Sequence, residues 1–329
     1  MYKNKKILIT GGTGTIGYQL TKQLLTYDPS VIRIFSRDEY KQYQMSQDFH
    51  EHHEKMRYLI GDVRDQQRLL RALEDVDFVF HLAAMKHVPF CEYNPFEAVQ
   101  TNVIGTQNVI QASIQAGVQK VLFTSSDKAI SPTNTYGATK LMGERLVSAA
   151  EYQKGAKSTI FSSVRFGNVM GSRGSVIPLF KKQIVEQGRI TVTDPEMLRY
   201  MMTPTQAIEL LLRANELASG GEVLVLKMPV VKLGDLAEVM IDLLNHIKKS
   251  DNEIEIHTIG LRPGEKMYEE LMTLDEQRIA VETEEMYIIP ASFISTPKTN
   301  HQVIDMKIPQ EGSIDKETLR NWIINEKLL

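Results

Sequence analysis

The stretch Ile7-Leu8-Ile9-Thr10-Gly11-Gly12-Thr13-Gly14-Thr15-Ile16-Gly17 decides the fold of this chain. Its apolar start predicts a buried strand, and the leucines at 20, 24 and 25 mark one face of a following helix. The glycines permit a tight turn, close approach of the backbone to a pyrophosphate, and close packing of helix on strand. This order of strand, glycine turn and helix predicts a dinucleotide site. The residues expected to face the dinucleotide here are Gly11, Thr13, Gly14, Thr15, Ile16 and Gly17.

Size, charge and cysteine content limit the functions open to the chain. Its 329 residues accommodate two ordinary domains, or one large α/β lobe with a smaller companion. The net charge of −3 and the pI of about 6.3 provide no general attraction to nucleic acid or acidic membranes, so we expect small-molecule partners. The single cysteine, Cys91, excludes an internal disulfide and fits a reducing compartment.

No segment of the sequence is typical of a membrane span or a targeting leader. The first strand begins at Ile7, and no run of about 18 apolar residues follows it. We therefore expect a cytoplasmic protein without membrane contact. The histidines at 50, 52 and 53 lie in a polar stretch that lacks the spacing of a zinc site, so we expect no metal.

Apolar runs and helical repeats alternate along the chain, which predicts an α/β fold with a mainly parallel sheet covered on both faces. A change in composition at residue 171 indicates the first excursion into a smaller lobe. We assign residues 1–168 and about 203–250 to a dinucleotide-binding domain. Residues 169–202 and 251–329, with approximate bounds, form the predicted discontinuous α/β substrate lobe. Trp322 is expected to anchor a last helix.

The second strand, residues 31–35, is expected to end at the adenosine ribose of the dinucleotide. NAD sites place an acidic residue there, whereas this chain has Ser36 and Arg37. A hydroxyl and a guanidinium suit a 2′-phosphate, so we predict a preference for NADP. Asp38, one step further, leaves NAD open as the alternative.

The ends of the third and fourth strands supply further cofactor candidates. Asp62 and Val63 follow residues 56–60, and Asp62 either accepts from the adenine amine or caps the next helix. Residues 78–84 predict the fourth strand, whose small Ala83 and Ala84 would let the cofactor pass close to the backbone. Asn102, near the start of a helix over 97–116, is expected to clamp that helix to a loop beside the site. Lys86 leads towards the substrate.

The reacting groups are predicted after the fifth strand, in Ser125-Ser126-Asp127-Lys128 and in Tyr136-Gly137-Ala138-Thr139-Lys140. The apolar run 121–123 reads as a buried parallel strand, and open α/β sheets bind ligands at the carboxyl ends of such strands. Tyr136 and Lys140 are four residues apart, on one face of a predicted helix. We expect the ammonium of Lys140 to lower the pKa of the Tyr136 phenol.

The predicted second lobe carries the candidates for a diphosphate site. Residues 171–175 form a donor-rich loop before a helix that begins at Val176, and Arg199 and Arg262 are possible diphosphate clamps. Glu265 lies in the same short stretch as Arg262.

These residues together resemble a known family. The glycine turn with Tyr136-x-x-x-Lys140 resembles the extended short-chain dehydrogenase/reductases over nearly the whole chain, which implies a Rossmann-like doubly wound parallel sheet. More narrowly, the chain is similar to the soluble bacterial UDP-N-acetylglucosamine 4,6-dehydratases. The matching segments are residues 36–39, 86–89, 127–129, 136–140, 165–169, 171–175 and 262–266.

The resemblance implies roles for individual residues. Asp127, Lys128 and Tyr136 would be catalytic, with Ser126 beside them where the soluble relatives have threonine. Lys140 would hold the nicotinamide ribose. The implied substrate-binding residues are Lys86, Asn168, Val176, Arg199, Arg262 and Glu265. The family also implies a homo-oligomer, either a hexamer or a dimer.

The implied reaction is dehydration through transient oxidation. Tyr136 as phenolate would take the C4 hydroxyl proton while hydride passes to NADP, Lys128 would remove the C5 proton, and Asp127 would protonate the departing C6 hydroxyl. The product would be a 4-keto-6-deoxy sugar for bacterial surface or flagellar glycans. A UDP-sugar epimerase needs only Tyr136 and Lys140, and a non-catalytic NADP-sensing scaffold needs neither. The sequence leaves the C5 configuration of the product open.

Overall fold

A nine-stranded sheet forms the centre of the described part of the protein. The computed structural model describes residues 1–245, 253–291, 304 and 312–329. The sheet has the order β13-β14-β10-β6-β5-β4-β1-β2-β3, and the seven strands from β10 to β3 run parallel. The strands are β1 Lys6–Thr10, β2 Val31–Ser36, β3 Met56–Ile60, β4 Phe78–His81, β5 Lys120–Thr124, β6 Ile160–Arg165, β7 Asn168–Val169, β8 Arg189–Val192, β9 Leu198–Met202, β10 Val223–Leu226, β11 Val230–Lys232, β12 Glu255–Thr258, β13 Val281–Glu282 and β14 Met286–Ile289.

Helices cover both faces of this sheet, as the α/β prediction requires. Helices α1 and α9 lie over one face, and α3, α6 and α7 lie over the other. None of the described helices is long and apolar enough to cross a membrane. The helices are α1 Thr15–Leu25, α2 Glu39–Asp48, α3 Gln66–Leu73, α4 Val88–Tyr93, α5 Pro95–Val99, α6 Gly105–Ala116, α7 Thr135–Gln153, α8 Val176–Gln187, α9 Pro204–Leu217, α10 Leu233–Leu244, α11 Leu274–Ile279 and α12 Lys316–Asn325.

Most predicted elements agree with the structure to within a few residues. Strand β4 ends at His81, three residues before the predicted end, because the chain leaves the sheet where Ala83 passes the glycine turn. The single helix predicted over 97–116 consists of α5, a π-helical turn at Gln100–Ile104, and α6. The amphipathic pattern that begins at Leu233 predicts a helix to Ile247; α10 begins at Leu233, and the predicted end lies outside the described residues.

The predicted division into two lobes differs from the observed packing at strand β11, at helix α10 and at the strands β13 and β14. Strands β13 and β14, which we assigned to the substrate lobe, extend the main sheet because β14 pairs antiparallel with β10. Helix α10, assigned to the first domain, belongs to the second hydrophobic core, where its apolar face packs on α8 and α12. Trp322 of α12 packs against the same core. Strands β7, β9 and β11 form one small sheet of this lobe, and β8 and β12 form another.

A buried ionic cluster joins the main sheet to the chain that returns from the second lobe. Arg165, at the end of β6, is fully buried and contacts Glu144 of α7 at 2.8 Å and 3.0 Å. It also contacts both carboxylate oxygens of Glu276 at 3.0 Å and the carbonyl of Leu271 at 2.7 Å. Five hydrogen bonds therefore satisfy a guanidinium that has no access to water, and removing it would take this partner from two carboxylates.

We expect the Arg165→Met substitution to lower the free energy of unfolding by about 3–5 kcal/mol, because it removes the buried guanidinium with which both Glu144 and Glu276 pair directly. Chemical denaturation followed by circular dichroism measures the change. Arg278→Met is the matched control, since Arg278 pairs with Asp275 at an exposed position, and it should change stability by less than about 0.5 kcal/mol. Equal effects of the two substitutions would contradict a structural role for the buried cluster.

Candidate functional site

Two cavities meet at the carboxyl edge of the parallel strands. The first, of about 290 Å³, lies over the glycine turn and the ends of β2 and β3. The second, of about 270 Å³, lies over the ends of β4, β5 and β6 and reaches the start of the second lobe. Ala84 lines both cavities, so one elongated ligand can extend from the first into the second. We call them the dinucleotide cavity and the reaction cavity.

The backbone at the dinucleotide cavity leaves room for a pyrophosphate to come close to it. Gly11 has a φ of +66°, and a Cβ at this position would lie 2.8 Å from Ala83 Cα. At Gly17, a Cβ would lie 2.5 Å from the carbonyl oxygen of Gly12. Side chains at these two positions would close the turn, so the glycines serve both the conformation and the packing. Thr13 and Ala83 line the cavity beside them, whereas Ile16 lines the reaction cavity.

The end of this cavity at β2 carries charges of both signs, because Asp38 and Asp62 line it together with Arg37 and Lys41. Ser36 and Arg37 line it, as predicted, and so does Lys41, which the sequence analysis missed. Asp38 caps α2 by accepting from the Lys41 backbone amide at 3.0 Å, and its side chain also pairs with the Lys41 ammonium. Its carboxylate is thus occupied by helix capping and by a lysine. The missed signal was the position of Lys41 in the first turn of the helix that Asp38 caps.

The alternative that Asp62 caps a helix is wrong. Helix α3 is capped by Asp65, which accepts from the Arg68 amide at 2.9 Å. Asp62 instead accepts from Arg64 and lies 3.6 Å from Arg37, at the wall of the dinucleotide cavity beside Val63. The two arginines lower the pKa of Asp62 against the opposing effect of its partial burial.

Asn102 holds the loop after β4 against α7 through hydrogen bonds. It is buried in the π-helical turn, accepts from the Met85 amide at 2.8 Å and donates to the Met85 carbonyl at 2.9 Å. It also donates to the Thr139 hydroxyl of α7 at 2.9 Å. This is the helix-to-loop clamp that we predicted for a polar amide at this position, and it acts through position rather than through chemistry.

The reaction cavity brings most of the predicted catalytic residues together. Its lining includes the serine pair that follows β5, the phenol and amine of α7, and polar groups from the second lobe. Helix α7 begins at Thr135 because Asn134 caps it, accepting from the Gly137 amide at 2.9 Å. The predicted site residues in the lining are Ile16, Ala84, Lys86, Ser126, Lys128, Tyr136, Lys140 and Asn168.

We predicted that the Lys140 ammonium lowers the pKa of the Tyr136 phenol. Among the groups that the protein itself supplies, this prediction is wrong. Burial raises the pKa of the Tyr136 phenol, and a hydrogen bond with Ser126 only partly opposes that rise. Burial also lowers the pKa of Lys140 to about 7, against the opposing charge of Glu144. The Lys140 ammonium donates to the Thr124 carbonyl at 2.7 Å and lies over the Phe123 ring. Desolvation of both groups therefore outweighs any attraction between phenolate and ammonium.

Asp127 and Lys128 form a close ion pair in which the acid is inaccessible to water. Asp127 is fully buried, and its Oδ1 accepts from Lys128 Nζ at 3.1 Å and from Ser126 Oγ at 2.9 Å. The second oxygen, Oδ2, has no hydrogen-bond partner in the described part of the chain. A Cβ at Gly167 would lie 3.1 Å from this oxygen, so the glycine leaves room beside it. A buried carboxylate oxygen without a partner is rare in folded proteins, so a water molecule or a ligand group is its expected partner.

A second carboxyl group near Lys128 was missed by the sequence analysis. Glu269 is 4% exposed, and its Oε1 lies 3.7 Å from Lys128 Nζ. Burial raises the pKa of Glu269, while the Lys128 charge lowers it and Asp127 raises it further. The ion-pair partners of the Lys128 ammonium are Asp127 and Glu269. The sequence signal was weak, because Glu269 is one of two adjacent glutamates.

The lining of the reaction cavity does not include the remaining substrate-lobe candidates, Val176, Arg199, Arg262 and Glu265. Arg199 donates to three backbone carbonyls, at Leu198, Lys266 and Met267, and thereby ties β9 to the segment that contains Glu269. The Arg262 amide donates to Glu265, closing a turn. The carbonyl of Gly264 in this turn accepts from Thr133 and Asn134, directly before α7. Val176 begins α8 and is partly buried.

Arg173 connects the second lobe to the glycine turn, a contact that the sequence analysis did not anticipate. Its backbone amide donates to the Thr15 hydroxyl at 3.1 Å, and its guanidinium contacts the Thr13 carbonyl. Ser172 and Gly174 on either side line the reaction cavity. The loop of residues 171–175 therefore lines the reaction cavity and contacts the glycine turn.

His81 lies beneath the two cavities and is satisfied by protein groups. Its ring nitrogens contact Thr10 Oγ1 at 2.7 Å and Thr106 Oγ1 at 3.0 Å. Burial, with a smaller contribution from Lys140, lowers the pKa of His81 to about 3. It is a core histidine without a catalytic position.

His81 should make stability depend on pH below neutrality. Because its folded pKa is below the unfolded value near 6.5, its contribution is present above about pH 6.5 and is lost as the pH falls towards 3. We expect the free energy of unfolding to fall by about 2–3 kcal/mol more between pH 6.5 and 4.5 in the wild type than in His81→Gln. Urea titrations of both proteins at each pH test this, and parallel pH profiles would contradict it.

The comparisons with known proteins agree with this geometry. A family model described as "Polysaccharide biosynthesis protein" matches residues 7–291. The UDP-N-acetylglucosamine 4,6-dehydratase (inverting) of Campylobacter jejuni subsp. jejuni serotype O:2 is 45% identical over 100% of this chain and 97% of its own length. The UDP-glucose 4-epimerase of Rickettsia rickettsii is 40% identical over 88% of this chain and 84% of its own length.

A solved structure extends the similarity to three dimensions. The X-ray structure of Pen from Bacillus thuringiensis superposes with a TM-score of 0.94 and is 54% identical in sequence. The match covers 100% of this chain and 99% of that one. The small second lobe is therefore shared along with the main sheet.

Proposed function

This chain belongs to the polysaccharide biosynthesis protein family, and we propose that within it the protein removes water from UDP-N-acetylglucosamine as a 4,6-dehydratase. The observation that carries the proposal is the buried Asp127–Lys128 pair beside Tyr136. Sugar oxidation at C4 needs a base at one hydroxyl only. Elimination across C5 and C6 needs a second base and an acid as well, and these two residues provide that chemistry.

The dinucleotide cavity would hold NADP. Gly11, Thr13 and Ala83 leave room for the pyrophosphate, and Arg37 and Lys41 supply positive charge for a 2′-phosphate. A nicotinamide cofactor bound there supplies a positive charge, the acceptor for the C4 hydride and the donor of the same hydride to C6. Since the hydride returns within one turnover, the cofactor has no need to leave between turnovers.

Three side chains would handle the protons of the sugar. Tyr136 takes the proton of the C4 hydroxyl, and the ketone that results makes the C5 proton acidic. Lys128 removes the C5 proton as an amine, which requires that its ammonium first give up a proton. Asp127 donates to the C6 hydroxyl, which leaves as water. The hydrogen bond between Lys128 Nζ and Asp127 Oδ1 allows one proton shift to produce both the amine and the carboxylic acid.

Glu269 would hold Lys128 in place during these steps. Its carboxyl faces the same ammonium, so the amine is positioned between two acidic groups. Arg199 fixes the backbone next to Glu269 through the carbonyls of Lys266 and Met267. The product would be UDP-2-acetamido-2,6-dideoxy-hexos-4-ulose, a precursor for bacterial surface or flagellar glycans. The expected cytoplasmic location and homo-oligomer, hexamer or dimer, stay predictions.

A UDP-sugar epimerase is the second candidate, because a 40% identical relative carries that name. In that reaction the 4-keto sugar rotates in the site and the hydride returns to the opposite face of C4. The reaction uses Tyr136 and needs no acid at C6. A buried acid and amine would then have no role in the chemistry. A non-catalytic NADP-sensing scaffold would require still fewer of these groups.

Incubation with UDP-N-acetylglucosamine in deuterated water distinguishes these functions. We expect a 4-keto-6-deoxy product with deuterium at C5, and NMR couplings of its ring also give the C5 configuration. The Lys128→Met protein should form this product at least about 100-fold more slowly. Lys182→Met, at an exposed ion pair on α8, is the control and should retain wild-type activity. Formation of UDP-N-acetylgalactosamine by the wild type would favour the epimerase. Absence of any product would favour the non-catalytic scaffold.

Cofactor preference is tested by calorimetric titration of the protein with NADP and NAD. We expect NADP to bind more tightly, because the 2′-phosphate pairs with Arg37. Arg37→Ala should weaken NADP binding by roughly 10-fold to 100-fold and leave NAD binding within about twofold, so NAD serves as the internal control. Tighter binding of NAD by the wild type would contradict the NADP assignment.

A further inference from the structure

A loop of the second lobe carries Arg173 to the glycine turn of the main sheet. Close packing at both ends of this loop fixes its path. A Cβ at Gly171 would lie 2.6 Å from Leu328 Cδ2, and a Cβ at Gly174 would lie 2.3 Å from His87 Cε1. A larger residue at either glycine would require the neighbouring side chain to move. The packing on both sides therefore determines where Arg173 lies.

Arg173 brings a positive charge to the glycine turn without a carboxylate partner. Its guanidinium donates to the Thr13 carbonyl, which is the only hydrogen-bond acceptor of this side chain among the residues that the structure describes. Within the same part of the chain no carboxylate forms an ion pair with Arg173, and the nearby Asp38 pairs with Lys41 instead. A guanidinium has five N–H donors, so most donors of Arg173 remain available to a ligand.

The charge of Arg173 acts on residues of both cavities. Pairing with Lys41 lowers the pKa of Asp38 in the dinucleotide cavity, and the Arg173 charge adds to this effect. Loss of water around its ammonium lowers the pKa of Lys86 in the reaction cavity, and the Arg173 charge lowers it further. Arg173 itself lines a third cavity, of about 260 Å³, which shares Thr13 and Lys41 with the dinucleotide cavity. An anion bound in this region would therefore meet a cation from the second lobe.

The surroundings of Arg173 indicate that this anion is a diphosphate. Helix α1 begins at Thr15, and its N-cap Gly14 has no side chain to accept from the first amides of the helix. Such a helix N-terminus favours a phosphate, and a guanidinium pairs with two phosphate oxygens at once. Thr13, which accepts from Arg173, also lines the dinucleotide cavity. Arg173 and the N-terminus of α1 therefore lie next to the same part of that cavity.

We propose that Arg173 binds the diphosphate of the nicotinamide dinucleotide, so that the second lobe takes part in holding the cofactor. The neighbouring Ser172 and Gly174 line the reaction cavity, so one loop would contact the cofactor and border the substrate. Release of the cofactor would then require this loop to move away from the glycine turn. The inference rests on the proposed function, which supplies the nicotinamide cofactor.

Calorimetric titrations with three probes separate a contact to the diphosphate from other effects. NADP and NAD both contain the diphosphate, whereas adenosine 2′-monophosphate has the adenosine and the 2′-phosphate alone. We expect Arg173→Met to weaken the binding of NADP and of NAD by about 10-fold to 100-fold, because a charge-assisted pair is lost. Binding of adenosine 2′-monophosphate should stay within about twofold. Arg37→Ala should give a different pattern, with weaker binding of NADP and of adenosine 2′-monophosphate but not of NAD.

Two further variants control for the loss of an arginine from this lobe. Arg189 is exposed at the start of β8 and lines neither cavity, so Arg189→Met should leave the binding of all three probes unchanged. Arg173→Lys keeps the charge but loses the planar fork of donors, so it should weaken NADP binding by less than about fivefold. The rate at which reduced NADP leaves the protein, followed by its fluorescence, should rise in Arg173→Met by about the factor that its affinity falls.

Two outcomes would overturn the proposal. If Arg173→Met weakens the binding of adenosine 2′-monophosphate as much as that of NADP, then Arg173 only shapes the glycine turn. If NADP binding is unchanged and UDP binding is weaker, then Arg173 serves the diphosphate of the nucleotide sugar. A wild type that binds neither dinucleotide would overturn the proposed function itself, which is a distinct result, because these titrations require no turnover.

Discussion

Removal of ionisable groups from water at the carboxyl edge of the sheet is the constraint on which the site depends. Asp127, Tyr136 and Lys140 all lie in the protein interior, where the charged form of each costs desolvation free energy. This cost raises the pKa of the phenol and lowers that of the Lys140 amine to about 7. The protein's own charges do not offset it, so an ionised phenol requires a ligand that brings positive charge. A nicotinamide cofactor brings such a charge.

The second lobe completes the reaction cavity through a small number of specific contacts. Glu269 brings a carboxyl group to Lys128, and Arg199 fixes the backbone beside it. The turn at Gly264 docks on the cap of α7, immediately before Tyr136. Arg173 extends from the same lobe to the glycine turn. Substrate-side and cofactor-side groups are therefore held by one packed assembly, and a shift of the lobe would change the position of both.

Helix capping gives different roles to Asp38 and Asp62, which look equivalent in the sequence. Asp38 and Asp62 both follow strands that end at the dinucleotide cavity, and each was a candidate for a contact with the cofactor. Asp38 caps α2 and pairs with Lys41. Helix α3 is capped by Asp65, so Asp62 does not take part in capping. Asp62 then remains at the cavity wall with Arg37 and Arg64. The balance of charge that a 2′-phosphate would meet is set by these local hydrogen bonds.

The sequence by itself determined the parallel sheet, the glycine turn and the position of Tyr136 and Lys140 on one face of α7, because strand periodicity, glycine conformation and helical spacing are local properties. It also determined that Ser126, Asp127 and Lys128 follow one strand. Only the tertiary structure decided their electrostatics, since desolvation depends on every element packed around a group. It likewise decided the place of Glu269, Lys41 and Arg173, which come from distant segments or an unremarkable helical turn. The strand pairing of β14 with β10 and the packing of α10 in the second core were also decided there, because such contacts join residues far apart in the chain.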